Sequence, residues 1–300
     1  MEILKSNDIS QKGEFLINFI HRVITSCILV PFVIYIIFFF PRNLFIFSVF
    51  SISLVTFWEW SQFIYQKIIF KRFICTILFS IILLIFHLII DFKILISNKL
   101  FIVVFSFSLI WWITSIFLII FFPFYFKFLY ESKELIFIIG TIIIFSFYFG
   151  ILALKNIDSL KNNFLGTYLI LYMFSLVWSF DSGSYFFGRI LGKNKLIKSI
   201  SPRKTFEGVI GGIITTYFVY YILEYFLPVN IFQKNFMLFI FTIIFWSIVG
   251  DLTESIFKRK FGIAESGKII PGHGGLLDRL DSLIAVTPIF SLIVLISIEM

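Results

Sequence analysis

The sequence predicts an all-α integral membrane protein, a polytopic bundle of about nine transmembrane helices. Three observations carry this. The 300-residue chain is 60% hydrophobic and only 14% charged, with a mean hydropathy of +1.03. Its apolar residues gather in nine runs near the length of a bilayer crossing, about 20 residues. Its 25 Lys and Arg fall unevenly on the connections between those runs. There is no internal repeat, Pro-rich linker or soluble appendage, so residues 1–300 read as a single membrane-embedded domain.

The runs lie at about 23–40, 44–64, 73–90, 100–122, 135–154, 164–187, 208–227, 236–250 and 282–298. Lys5, Lys12 and Arg22 precede the first, and Arg42 separates it from the second. Lys67, Lys71 and Arg72 lie between the second and third, Lys93 and Lys99 between the third and fourth. Lys127 and Lys133 follow the fourth, Lys155 and Lys161 the fifth. The sixth is followed by six basic residues in 188–207, the seventh by Lys234, and the eighth by five in 251–281. With the N-terminus in the cytoplasm, 19 of the 25 are cytoplasmic and six are outside. That is the positive-inside pattern, and it places both large polar loops on one side. An even number of spans breaks the agreement at one end.

The two cysteines, Cys27 and Cys75, each sit in an apolar run, which argues against a disulfide framework or a thiolate zinc site. The first residues, MEILKSNDISQKGEF, are polar and lack a cleavable-signal pattern. In a chain this apolar, the net charge of +8 points to anionic lipid and phosphorylated substrates rather than nucleic acid.

Ionisable groups concentrate at 250–282, between segments with hardly a charge. Charges beside lipid are costly and by default mark function. Asp251, Glu254, Ser255 and Lys258 recur at i, i+3, i+4 and i+7, one face of a helix. Carboxylates there can hold Mg²⁺, which takes oxygen ligands and keeps waters for substrate phosphates; the bland alternative is a solvated helix end. Pro271 to Gly275, PGHGG, cannot continue a helix and can bring backbone N–H groups up to a phosphate, or is a plain turn. His273 at its centre can donate to a phosphate. Asp278 and Asp281 enter the last run as i, i+3 partners with Arg279 between them, more than helix-end capping needs. Upstream, Asp181 and Tyr185 are one turn apart, followed by the basic loop with Ser201, Arg203 and Lys204. That loop is a dock for a triphosphate, or a topology signal alone. Trp58-Glu59-Trp60 reads as an aromatic belt, and His21 and His87 as incidental.

The block from Ser255-Ile-Phe-Lys258-Arg259 through Pro271-Gly-His273-Gly-Gly-Leu-Leu-Asp278-Arg279-Leu-Asp281 resembles the signature of the phosphatidate cytidylyltransferases. DSGSYFFGR at 181–189, SPRKTFEG at 201–208 and WEWSQ at 58–62 extend the likeness. The resemblance implies an all-helical membrane enzyme, a homodimer in the bacterial inner membrane with its active site facing the cytoplasm. It implies that phosphatidate and CTP give CDP-diacylglycerol and pyrophosphate, with the active site in about 175–300. It implies Mg²⁺, alone or with a second cation, on Asp251 and Asp278. Asp281, Lys258, Arg259, His273 and Arg279 join these as catalytic candidates. Asp181, Tyr185, Ser201, Arg203, Lys204 and Ser255 are the substrate-binding candidates. One departure is Ala264-Glu265, where the family often has Lys-Asp. Two rivals are weighed. A CDP-alcohol phosphatidyltransferase also pairs aspartates, but its Asp-Gly-x-x-Ala-Arg element is absent. A transporter tends to show internal repeats and midplane charges, whereas these charges crowd one surface.

Overall fold

In the computed structural model, residues 27–89, 99–122, 131–161, 164–227, 236–267, 269 and 274–299 are described. Each of the nine apolar runs falls on a helix: α1 (Cys27–Phe39), α2 (Arg42–Trp60), α3 (Ile69–Ile89), α4 (Lys99–Ile120), α5 (Lys133–Lys161), α6 (Leu165–Ile190), α7 (Phe206–Phe226), α8 (Phe236–Phe261) and α9 (Leu277–Glu299). Seven are long and apolar enough to cross a membrane. The exceptions are α1, which is short, and α6. Both are explicable: residues before 27 lie outside the described set, and the second half of α6 carries Asp181, Arg189, serines and glycines.

Helices α5, α8 and α9 form the centre. Most of α5 is buried inside the protein, while only 11% of the α3 span is. Such an apolar, outward-facing α3 is what contact with lipid or another chain selects, since lipid solvates Ile and Phe as well as a core does. The closest crossing joins α6 to α7, through Gly183, Gly188, Gly208, Gly211 and Gly212. A Cβ on Gly211 would run into the Phe187 ring, and one on Gly212 into Ser184 and Phe180. Small residues thus let the two backbones approach, and Thr215 Oγ donates to the Ser179 carbonyl across the seam at 3.0 Å. Gly150 plays the same part for α5 and α9, where Ser291 donates to its carbonyl at 3.1 Å.

Two regions differ from the sequence reading. The basic loop 188–207 is not irregular: α6 continues to Ile190, and an antiparallel hairpin follows, β1 (Lys195–Ile197) with β2 (Ser201–Thr205). Thr205 then caps α7 by accepting from Gly208 N at 3.2 Å. Glu207 closes the hairpin base by accepting from Asn194 Nδ2 at 2.8 Å. The second difference is that α8 runs to Phe261, eleven residues past the expected span end, so Asp251 to Lys258 do lie on helix.

Of the four connections expected on one side, three meet at one end, and residues 123–130 of the fourth lie outside the described residues. Gln62 donates to the Ser266 carbonyl at 2.8 Å, and Arg259 to the Ile200 carbonyl at 3.2 Å. These contacts join the α2–α3 turn, the hairpin and the α8–α9 connection. At the other end Lys155 reaches the Ile37 carbonyl at 2.9 Å, and Arg42 reaches Asn156 at 3.1 Å.

Candidate active site

At the end where these connections meet, a cavity of about 930 Å³ opens between α1, α2, α5, α6, the hairpin, the start of α7, α8 and α9. Its walls change character along its length. One part is apolar, formed by residues such as Val33, Ile37, Phe45, Val49, Ile151 and Phe174. The other carries Asp181, Asp251, Asp278 and Asp281, with Arg189, Lys195, Arg203, Lys204 and Arg279.

The acids come from three helices. Asp181 of α6 is half-buried and accepts from Ser247 of α8 at 3.3 Å and from Ser282 of α9 at 3.4 Å. Ser247 is one turn before Asp251, and Ser282 follows Asp281, whose carboxylate accepts its N–H at 2.8 Å. Gly250 makes this convergence possible, because a Cβ there would strike the backbone carbonyl of Asp281. Asp181, Asp251 and Asp281 therefore lie within electrostatic reach of one another. Lys204, carried in by β2, forms an ion pair with Asp251. Three carboxylates in a partly desolvated cavity are a hard-oxygen donor set with surplus negative charge, and they suit a divalent cation. Among the described residues no ready-made cluster of three or more acidic, His or Cys side chains is drawn in to metal distances.

Asp278 sits apart in a second network. Both its oxygens accept from Ser266 N at 3.1 Å, and Oδ2 also accepts from Gly275 N at 2.9 Å. Lys258 Nζ lies 2.7 Å from Asp278 and 2.6 Å from Glu254 one turn back along α8. Asp278 thus fastens the α8–α9 connection to the start of α9 while still lining the cavity.

Of the residues expected from the sequence, Asp181, Tyr185, Arg203, Lys204, Asp251, Asp278, Arg279 and Asp281 line this one cavity. Ser201, Ser255, Lys258 and Arg259 are not among its lining residues. Ser255 faces Asp251 at 3.5 Å, Lys258 holds Asp278, and Arg259 holds the hairpin. His273 lies outside the described residues. Ala264 and Lys260 are exposed, and Lys260, with its ammonium 5.8 Å from the centre of the Phe122 ring, is not among the residues lining the cavity.

Three features escaped the sequence reading. Arg189 lines the cavity two turns beyond Asp181, an i, i+4, i+8 series through Tyr185 that the helical period could have shown. Lys195 does so from β1. The third is the WEWSQ segment, which is no aromatic belt. Trp60 is 2% exposed and donates to the Ile136 carbonyl at 2.9 Å, and Glu59 is 1% exposed. Trp58 and Gln62 are partly open, Trp58 under the Arg72 guanidinium at 4.4 Å.

Known proteins are similar to this chain in sequence, one of them over nearly its whole length. The model of the cytidylyltransferase family matches residues 20–297. The phosphatidate cytidylyltransferase of Haemophilus influenzae is 35% identical over 280 residues, 90% of this chain and 96% of that protein. Those of Staphylococcus haemolyticus and Staphylococcus aureus are 46% and 44% identical over 133 and 132 residues, 43% of this chain and half of each relative. With acids from three helices, a basic hairpin and the signature connection meeting in one cavity, and with that match, the chain belongs to the cytidylyltransferase family.

Proposed function

We propose that this chain transfers the cytidylyl group of CTP to phosphatidate, giving CDP-diacylglycerol and pyrophosphate in phospholipid biosynthesis. The single observation that carries the reading is the two-sided cavity. Its apolar part suits acyl chains, and its charged part suits a triphosphate and a lipid phosphate. The relatives named phosphatidate cytidylyltransferase support the same substrates.

The phosphate of phosphatidate is already an anionic nucleophile, so no Ser or Cys nucleophile is required. The protein's task is to hold two mutually repelling phosphates in line and to neutralise charge on the departing pyrophosphate. Lys204 and Arg203 on β2, Lys195 on β1, Arg189 on α6 and Arg279 on α9 surround that space. Tyr185 adds a hydroxyl to the same wall. Lys258 and Arg259 contribute by holding Asp278 and the hairpin in place. Asp251 and Asp278 would hold Mg²⁺, with Asp281 and Asp181 in support. Asp251 lies within electrostatic reach of Asp181 and Asp281, and Asp278 lines the same cavity from its network with Lys258. Bound there, Mg²⁺ supplies charge neutralisation to the phosphates and the leaving group.

The reading places the enzyme as a multi-pass homodimer in the bacterial inner membrane, with the hairpin end in the cytoplasm. The uneven Lys and Arg distribution supports that orientation, and the exposed apolar face of α3 leaves room for a partner copy. A cysteine introduced at Lys195 should then be labelled only from the cytoplasmic side, and one at Lys155 only from outside. The reverse pattern overturns the orientation.

Purified protein given CTP should release pyrophosphate with phosphatidate and not with diacylglycerol. Equal turnover on diacylglycerol contradicts the acceptor assignment. Lys204→Ala should raise the apparent KM for CTP more than that for phosphatidate. Loss of one charge-assisted contact costs roughly 1.5–3 kcal/mol. An unchanged CTP response removes Lys204 from the nucleotide site.

A further inference from the structure

Glu59 lies on α2, some two hundred residues before the signature connection, yet its carboxylate is buried beneath that connection. Its Oε2 accepts from Leu277 N at 2.7 Å and from Ser266 Oγ at 3.2 Å. Ser266 Oγ in turn accepts from Asp278 N at 3.3 Å, while Ser266 N donates to both oxygens of Asp278 at 3.1 Å. Gln62, one turn on from Glu59, fixes the Ser266 carbonyl at 2.8 Å. The result is a closed ring: Glu59, Ser266, Asp278, Leu277 and back to Glu59.

Two glycines show how tightly the connection is moulded to this carboxylate. A Cβ on Gly267 would collide with Glu59 Oε1, and a Cβ on Gly275 with Ser266 Oγ and close to Glu59 Oε2. Glu59 Oε1 has no hydrogen-bond partner among the described residues, an uncommon state for a buried carboxylate oxygen. A group so costly to bury is poorly explained by packing, because an apolar side chain would fill the space at less cost. What it supplies is two fixed acceptor contacts at the point where α9 begins.

We infer that Glu59 is a positioning residue for the reaction. Through Leu277 N and Ser266 it sets the height and rotation of the first turn of α9, and so the placement of Asp278, Arg279 and Asp281 in the cavity. The inference rests on the cytidylyltransferase reading above, and it assigns the WEWSQ segment a role in catalysis without contact to substrate. Hydrogen bonds of this kind fix direction as well as distance, and misplacing catalytic groups by about 1 Å costs on the order of a hundredfold in rate.

The test compares purified wild type with Glu59→Ala, Glu59→Gln and Ser266→Ala, reading kcat, both KM values and hydrogen exchange along the chain. Glu59→Ala should lower kcat by about a hundredfold while leaving each KM within about threefold. Exchange should rise in residues 262–280 and stay unchanged in α5 and α6. Glu59→Gln, whose amide oxygen can accept from Leu277 N and Ser266 Oγ, should recover most of kcat. Ser266→Ala removes the Oγ that bridges Glu59 Oε2 to Asp278 N while leaving the Ser266 N–H on the Asp278 carboxylate, and should show the same kcat loss in milder form. It carries the test should Glu59→Ala fail to fold. Wild-type kcat in folded Glu59→Ala or Ser266→Ala overturns the inference. So does a kcat loss in Glu59→Ala accompanied by exchange rising evenly through all helices, which marks a purely structural role. Wild-type protein that makes no CDP-diacylglycerol defeats the functional reading instead, and the two failures are distinct.

Discussion

Asp251→Asn should abolish CDP-diacylglycerol formation while the protein still inserts and folds. Asn keeps the shape of the side chain and removes its charge. Asp251 is the acid within electrostatic reach of both Asp181 and Asp281 and paired with Lys204 on the hairpin. Carboxylates gathered this closely repel one another unless positive charge sits among them. Removing one should relax the folded protein slightly rather than damage it, so stability and activity should move apart. The loss should exceed about a thousandfold, comparable to deleting a principal electrostatic group of a transition state. Thermal unfolding in detergent and product formation by the same preparation check both halves. Asp278→Asn should also be inactive. It should in addition loosen the connection at 262–276, because Asp278 accepts from Ser266 and Gly275. Near-wild-type turnover by Asp251→Asn at low Mg²⁺ contradicts its assignment as a cation ligand.

Lys258→Met should produce the largest loss of stability. The ammonium lies between Glu254 and Asp278, at 2.6 and 2.7 Å, and the Glu254 side chain is only 4% exposed. Without it, two neighbouring carboxylates remain with no countercharge in a low-dielectric region. Removing one partner of a buried ion pair costs about 3–5 kcal/mol, most of it the penalty of the charge left behind. A surface ion pair, worth about 0–1 kcal/mol, predicts almost no change. Adding Glu254→Gln to Lys258→Met should recover part of the loss, since one stranded charge is then gone. A double variant no more stable than Lys258→Met contradicts the three-membered network. Urea or thermal unfolding of the reconstituted protein measures all three.

The helices were legible in the sequence because a bilayer leaves the backbone few choices. Each of the nine apolar runs could satisfy its N–H and C=O groups only by becoming helix. Their ends were less legible. Hydropathy stops at Gly250, but α8 continues because Asp251, Glu254 and Lys258 share one face that packs against α9 rather than facing lipid. The hairpin at 195–205 was hidden for a different reason. Its strands are three and five residues long, and their positive charges read first as a topology signal. At the site, the residues with local spacing were found: Asp181 with Tyr185, and Asp278 with Arg279 and Asp281. Glu59 was not, because nothing within its own helix explains a carboxylate between two tryptophans. Its partners, Ser266 and Leu277, are supplied by the fold alone.

The central claim is that a cytidylyl group, rather than a terminal phosphoryl group, passes to a lipid phosphate within this cavity. Purified protein in phosphatidate-containing micelles, with Mg²⁺ and CTP labelled with ³²P at either the α or the γ position, tests it directly. The account predicts that α-label moves into the organic-soluble lipid fraction as CDP-diacylglycerol. It predicts that γ-label stays in water as pyrophosphate, and that neither moves in Asp251→Asn. Transfer of γ-label to lipid, or retention of α-label in water by active, folded protein, would contradict it.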